Sequence, residues 1–305
     1  MDATFAEALA RSLNGIPRGR VATCSTIARA LGDVRAARAV ATWLREHPET
    51  LEAHRVVRLD GRPVLDASTA RLKKEGVPIA AGRVEHSRFV DTLPDVPFLG
   101  RLREEQRRHA SQVIEEDAGP IRSVTGIDIA YRGDAAYAAA ATLEVETLRT
   151  VAVASVRTRV AFPYIPGYLA FREMPGIEAA VRQLPKRPEA IMIDGHGRLH
   201  PALFGVACHA GVRLDIPTVG VAKHPLAGRV DSTQDKGTGA HPIRIEGKTR
   251  GYAWIPPNRE RPIYVSVGHR VSLGTALALV QRTTRVGYPE PLRIADRLAG
   301  EMKGE

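Results

Sequence analysis

Val124-Thr125-Gly126-Ile127-Asp128-Ile129-Ala130 opens a series of three strand-like runs, continued by Ala136–Val145 and Thr150–Val160. Short turns at Arg132-Gly133-Asp134 and Glu146–Arg149 separate them. Apolar runs closed by such turns predict an antiparallel meander. Downstream the pattern alternates: a helix around Arg172–Leu184, a strand Ala190–Ile193, a helix Leu203–Leu214 and a strand Thr218–Ala222. Short strands that are apolar throughout and framed by helices imply a sheet covered on both faces. A charged helix over Leu99–Glu116 precedes the meander, and Ser272–Arg285 is the last clear helix. The fold class expected is α/β, a mixed sheet flanked by helices.

Working backwards, Asp91-Thr92-Leu93-Pro94-Asp95-Val96-Pro97 sets two prolines in a short polar stretch and reads as a linker. The expected division is a smaller helix-rich unit over 1–88, a linker over 89–97 and the α/β unit over 98–305. In the first unit, Ile27, Ala28, Ala30 and Leu31 line a helix that ends at Gly32, and Asp33 is placed to cap a second helix reaching about Glu46. Helix, glycine turn and capped helix outline a helix-turn-helix. Its second helix sets Arg35, Arg38 and Arg45 beside Ala36, Ala37 and Ala41. Small side chains let a backbone approach a nucleic-acid groove, and the arginines supply charge. A plain helical hairpin fits the same pattern.

The balance of charge agrees with a polyanionic partner: 44 Lys+Arg against 34 Asp+Glu, net +10. Residues 1–90 hold 15 of the basic and 10 of the acidic residues, so net positive charge is densest there. An arginine-biased genome would produce the same excess without any such partner. Two distant cysteines, Cys24 and Cys208, offer neither a disulfide framework nor paired zinc ligands. No stretch approaches the roughly 20 apolar residues of a membrane span. With no basic leader at Met1–Ala10, a cytoplasmic protein is expected. Gly228–His241 mixes glycines with both charges and reads as a mobile tract to which no role is assigned.

Four residues stand out chemically. Asp128, Glu173, Asp194 and His269 lie in Gly126-Ile127-Asp128-Ile129, Phe171-Arg172-Glu173-Met174, Ile193-Asp194-Gly195-His196-Gly197 and Val267-Gly268-His269-Arg270, where strands or helices begin or end. Three carboxylates and an imidazole can hold hard divalent cations over a phosphodiester. A pair of ions about 3.5–4 Å apart stabilises both the attacking and the leaving oxygen of an in-line displacement. Mg²⁺ takes such oxygen ligands, and Mn²⁺ substitutes for it. His269 could orient water, protonate the leaving oxygen or bind metal, and the residues leave that choice open. Lys223 could hold a phosphate or the nucleophilic water as a point charge. His196 and His200 have a zinc-like spacing, but Gly195, Gly197 and Pro201 argue for a loop. Pro163-Tyr164-Ile165-Pro166 reads as a stiff tip presenting Tyr164 and Ile165. An aromatic there can fill the gap left by an extruded base, although a proline-stiffened surface loop is the plainer alternative.

Taken together, residues from about 98 to 300 resemble endonuclease V, a deoxyinosine-directed repair nuclease with a ribonuclease H-like fold. The strings are Thr125–Tyr131, Pro163–Glu173, Asp194-Gly195-His196-Gly197 with His200-Pro201, Phe204-Gly205, Gly220-Val221-Ala222-Lys223 and Gly268-His269-Arg270-Val271. Six separated motifs in one order are specific where each alone is weak. Residues from about 3 to 83 resemble the DNA-binding domain of O6-alkylguanine DNA alkyltransferases and their alkyltransferase-like relatives, through Ile16–Thr23, Ala36-Ala37-Arg38-Ala39-Val40, His54-Arg55-Val56-Val57 and Arg71–Gly76. Here the nucleophilic cysteine position is Ala53, the preceding proline is Glu52, the base-flipping tyrosine is Cys24, and an asparagine is His47.

The first resemblance implies Mg²⁺-dependent nicking of DNA, double- or single-stranded, at the second phosphodiester 3′ to deoxyinosine. Asp128, Glu173 and Asp194 would bind metal, with His269 and Lys223 catalytic. Tyr164, Ile165 and Pro166 would form the strand-separating wedge, and Gly167, Gly195, His200 and Gly205 the neighbourhood of the flipped base. The second resemblance implies DNA binding through Ala36 and the finger Arg38, and contact with alkylated DNA, but no methyl transfer, because Ala53 lacks the attacking thiolate. The rival readings are a non-catalytic protein that recognises alkylated DNA and a ribonuclease directed at inosine in RNA.

Overall fold

The structure is a computed structural model that describes residues 4–232 and 239–304. Of the tract 228–241, residues 233–238 lie outside the described residues. By contacts the chain forms two compact units, one of residues 1–104 with 161–166, the other of 105–160 with 167–305.

The first unit begins with α1 (Phe5–Asn14), held by a capping box in which the Thr4 hydroxyl and the Glu7 carboxylate satisfy each other's backbone N–H groups. Strand β1 (Ala22–Thr23) leads into α2 (Cys24–Ala30), capped by the Thr23 side chain. Asp33 does cap, but the segment it caps is a 3₁₀ turn over Val34–Ala36, and α3 (Ala37–Glu46) starts only after that turn. Strand β2 (Val56–Val57) pairs in parallel with β1. Helix α4 (Ser68–Lys74) and the hairpin of β3 (Ile79–Ala80) and β4 (Arg83–Val84) close the unit. Phe98 and Phe162 both set their rings against Phe5. That aromatic cluster explains why 98–104 and 161–166 group with the first unit, whereas the sequence pattern places them beyond the linker.

Helix α5 (Phe98–Ala110) is followed in the second unit by β5 (Ser123–Arg132), β6 (Ala135–Glu144) and β7 (Thr150–Arg159). These pair antiparallel, as the turn spacing predicts. Helix α6 (Leu169–Gln183), β8 (Ile191–Asp194), α7 (Val206–Leu214) and β9 (Thr218–Ala222) come next. β8 lies parallel to both β5 and β9. Three antiparallel strands joined to two parallel ones make the mixed sheet expected of the ribonuclease H-like class. The sheet then extends through β10 (Arg229–Val230), β11 (Ala240–Ile245), β12 (Lys248–Trp254) and β13 (Ile263–His269), in the order β10-β11-β12-β13-β9-β8-β5-β6-β7. Helices α8 (Leu273–Arg282) and α9 (Glu290–Gly304) end the chain.

Alternation sorts the central strands onto two cores. Ile127, Ile191 and Ile193 face a core shared with α6 and α7, while Val124, Met192, Val219 and Val221 face one shared with α8, α9 and Tyr288. Gly126 belongs to the second phase, and a Cβ there would sit 2.2 Å from the Pro291 backbone. Its lack of a side chain is what lets the start of α9 lie directly on β5. Among the described residues no helix is long and apolar enough to cross a membrane.

Candidate active site

The parallel pairing of β5 with β8 sets Ile127 opposite Ile193. One residue on, Asp128 and Asp194 therefore come side by side where β8 ends; Asp194 closes its strand, whereas Asp128, expected at a strand end, lies mid-strand because β5 runs on to Arg132 in its pairing with β6. By alternation both share the face of Gly126 and Met192, the one that α9 and Tyr288 cover. Glu173 comes from the second turn of α6. Burial, then the negative charges of Asp128 and Asp194, push Glu173 up to about 8. Burial, then the charge of Asp194, push Asp128 up to about 7. The charges of Asp128 and Asp194 thus lie near enough to oppose ionisation of Glu173, and that of Asp194 near enough to oppose ionisation of Asp128.

Two sets of neighbours complete the cluster. Asp296, on α9, hydrogen-bonds the Asp128 side chain and adds a fourth acidic group. Sequence reasoning missed it because α9 itself went unread; its signal was the Pro289-Glu290-Pro291 start followed by Leu292, Ala295 and Ala299 at helical spacing, with Asp296 beside that stripe. Lys223, directly after β9, donates from Nζ to Asp194 Oδ2 at 2.6 Å. Around Glu173, the Tyr131 hydroxyl donates to Oε1 at 3.4 Å, and the Arg172 guanidinium stacks 4.2 Å from the Tyr131 ring centroid.

Asp128 and Glu173, raised by burial and then by neighbouring negative charge, belong to a donor set short of positive charge, and its hard oxygens suit Mg²⁺ or Mn²⁺. Asp128, Glu173, Asp194 and Asp296 are the residues that would hold such an ion. Asp128, Glu173 and Asp194 stand farther apart than 4.8 Å; among the described residues, the group whose ligand atoms all lie within 4.8 Å of one another is a different one, Glu52, His54 and Glu75 in the first unit. There, however, Arg55 already supplies the cation. Its guanidinium lies 2.7 Å from Glu75 and 3.1 Å from Glu52, and its hydrogen bonds hold Glu75 down to about 2.

His269 is not brought to the acidic cluster. After a bulge in β13 it pairs with Thr218, the first residue of β9, whereas Asp194 pairs with Val221. Three residues of strand separate the two positions, about 10 Å along the sheet. The imidazole is buried, Nδ1 accepts the Ile114 N–H at 3.3 Å, and Asp215 and Arg270 are its charged neighbours. It stitches loops together at the other end of the strands.

A small cavity of about 30 Å³ is lined by Gln106, Gly167, Leu169, His200, Gly205 and Leu226, among others. It has room for about one water, so a purine requires it to open. His200 accepts the Ala202 N–H on Nδ1 at 3.1 Å, which leaves Nε2 to donate to the Gly167 carbonyl at 3.1 Å. Gln106 donates to that same carbonyl at 3.0 Å. His200 therefore shapes the cavity by fixing Gly167. Gly205 is needed because a Cβ would lie 2.1 Å from the His196 carbonyl. Gly195 instead packs against Val206.

In the first unit, Tyr164 is 62% exposed, but Ile165 is fully buried, so the tip presents the tyrosine and not the isoleucine. Pro166 is exposed. Ala36 is likewise buried within its 3₁₀ turn and offers no surface to DNA, while Arg38 is exposed. Ala53 is buried beside His54, whose Nε2 lies 2.9 Å from Glu75 Oε1.

A family model described as endonuclease V matches residues 105–297. The chain belongs to the endonuclease V family. A second model, the DNA-binding domain of 6-O-methylguanine DNA methyltransferase, matches residues 4–77, so the molecule joins such a domain to an endonuclease V domain. Endonuclease V of Roseiflexus castenholzii is 44% identical over 205 residues, 67% of this chain and 92% of the relative. That of Thermofilum pendens is 42% identical over 210 residues, 68% of this chain and 89% of the relative. The crystal structure of Streptomyces avermitilis endonuclease V superposes with a TM-score of 0.62 at 39% identity, covering 67% of this chain and 92% of that one. The second unit is accordingly a nuclease of the endonuclease V type.

Proposed function

We propose that this endonuclease V nicks DNA at the second phosphodiester 3′ to deoxyinosine by metal-assisted hydrolysis, leaving 3′-hydroxyl and 5′-phosphate ends. What supports the reading is that Asp128, Glu173 and Asp194, partly buried, lie near enough for their charges to act on one another, with Asp296 beside Asp128 and Lys223 on Asp194. Bound there, Mg²⁺ or Mn²⁺ supplies charge neutralisation at the phosphoryl group and an activated water. Asp128 and Asp194 hold fixed positions because the sheet register sets them. Lys223 brings a mobile positive charge to the same place, suited to a phosphate oxygen. The cavity beside Gly167 and Gly205 receives the extruded base once it opens, and a snug fit there admits hypoxanthine while excluding the extra amine of guanine. Tyr164 fills the gap left in the duplex.

The first unit supplies DNA affinity through Arg38 and its dense positive charge. Contact with alkylated DNA remains open to it, but methyl transfer does not, because Ala53 has no nucleophile. The test is a nicking panel with the full chain and Mg²⁺ on matched duplexes carrying deoxyinosine, deoxyuridine or O6-methylguanine, and on an inosine-containing RNA. Scission of the deoxyinosine strand, lost in Asp128→Ala and Asp194→Asn with DNA binding retained, is the expected result. Full activity in either variant, or faster cutting of the RNA, contradicts the reading.

A further inference from the structure

Tyr288 lies between α8 and α9, outside every motif that carries the family resemblance. Its ring is 8% exposed, and its backbone is pinned by Tyr288 N–H to the Val286 carbonyl at 2.7 Å and by Gly287 N–H to the Pro257 carbonyl at 2.9 Å. The hydroxyl has one proton and two acceptors within reach: Asp194 Oδ1 at 3.0 Å and the Val221 carbonyl at 3.1 Å. An ionised carboxylate is the stronger acceptor. Asp194 Oδ2 is taken by Lys223 Nζ at 2.6 Å, and that same ammonium sits 4.8 Å from the centroid of the Tyr288 ring.

We propose that Tyr288 is a positioning residue for the metal site, its hydroxyl locking the rotation of Asp194 and its ring giving the Lys223 ammonium a resting place when a cation displaces it. This rests on the reading of Asp194 as a metal ligand. Held by Tyr288 through Oδ1, the carboxylate has Oδ2 as the oxygen to offer a cation, and Lys223 occupies that oxygen. Binding of a divalent ion must therefore move Lys223 while Tyr288 keeps the carboxylate aimed. The face of an aromatic ring attracts a displaced ammonium, so Lys223 stays beside the cluster. Removal of a partner that orients a ligand typically costs 10–100-fold in metal affinity.

The test is Mn²⁺ binding by the full chain without DNA, followed by electron paramagnetic resonance of the free ion, at pH 7.5. Tyr288→Phe keeps the ring and removes only the hydroxyl; about tenfold weaker binding is expected, with nicking restored toward the wild-type rate by raising Mn²⁺. Tyr288→Leu, which removes the ring as well, should weaken binding at least as much and need more than extra Mn²⁺ for recovery. Melting curves show whether each variant is folded. A folded Tyr288→Phe that binds Mn²⁺ like wild type, or that loses rate without recovery at high Mn²⁺, overturns the proposal. If neither wild type nor Asp194→Asn binds Mn²⁺, the metal reading itself fails.

Discussion

Asp128 on β5 and Glu173 on α6 give this molecule a pH dependence with a definite sign. Asp128 and Glu173 have folded-state values near 7 and 8, above the roughly 4 of unfolded carboxylates. Between about pH 4 and pH 8 the metal-free folded protein therefore binds more protons than the unfolded chain, and its stability falls as pH rises through that window. Asp128→Asn keeps the shape and removes one ionisation. In metal-free protein the variant should melt at least about 5 °C above wild type at pH 8 and close to it at pH 4.5. Saturating Mg²⁺ at pH 8 should stabilise wild type more than the variant. A wild type that melts highest at pH 8 without metal refutes this account of the cluster. Lys223→Met tests the adjacent charge: nicking at saturating metal should fall about 10²-fold, in keeping with removal of a charge that acts on a developing anion.

Helix α9 reaches the cluster only because β5 carries a glycine beneath it. Gly126→Ala would drive a methyl into the Pro291 backbone, which cannot yield as a side chain can. The expected cost is about 3 kcal/mol in urea unfolding, together with loss of nicking as Asp296 leaves Asp128. An unchanged midpoint would show that α9 is not seated as described. The same elements show what was legible in the chain. The meander, β8, β9 and α8 stood out because their apolar runs are long and punctuated, and the register they create brings Asp128 and Asp194 together. Strands β11 and β12 are obscured by proline, glycine and basic residues. α9 was masked because its buried face is small, largely Leu292, Ala295 and Ala299. His269 was misplaced for another reason: its motif gives its type but not the bulge that sends it to the far end of β9.

Across the whole molecule, one chain joins a DNA-binding domain to a nuclease. The first unit carries net positive charge and a His54–Glu75 pair, and Ala53 beside it has no thiol. Its contribution should be affinity. Arg38→Ala in the full chain should lower duplex affinity by about five- to tenfold and reduce the salt dependence of binding by about one counterion, with the nicking rate at saturating protein unchanged. A fall in the saturated rate would place Arg38 in the chemistry instead. Beneath all of this is the claim that the divalent ion sits in the nuclease sheet. Crystals of the full chain soaked in Mn²⁺ test it directly by anomalous scattering. The account predicts a peak among Asp128, Glu173 and Asp194, with Lys223 withdrawn from Asp194; no peak there, or one only at Glu52, His54 and Glu75, would contradict it.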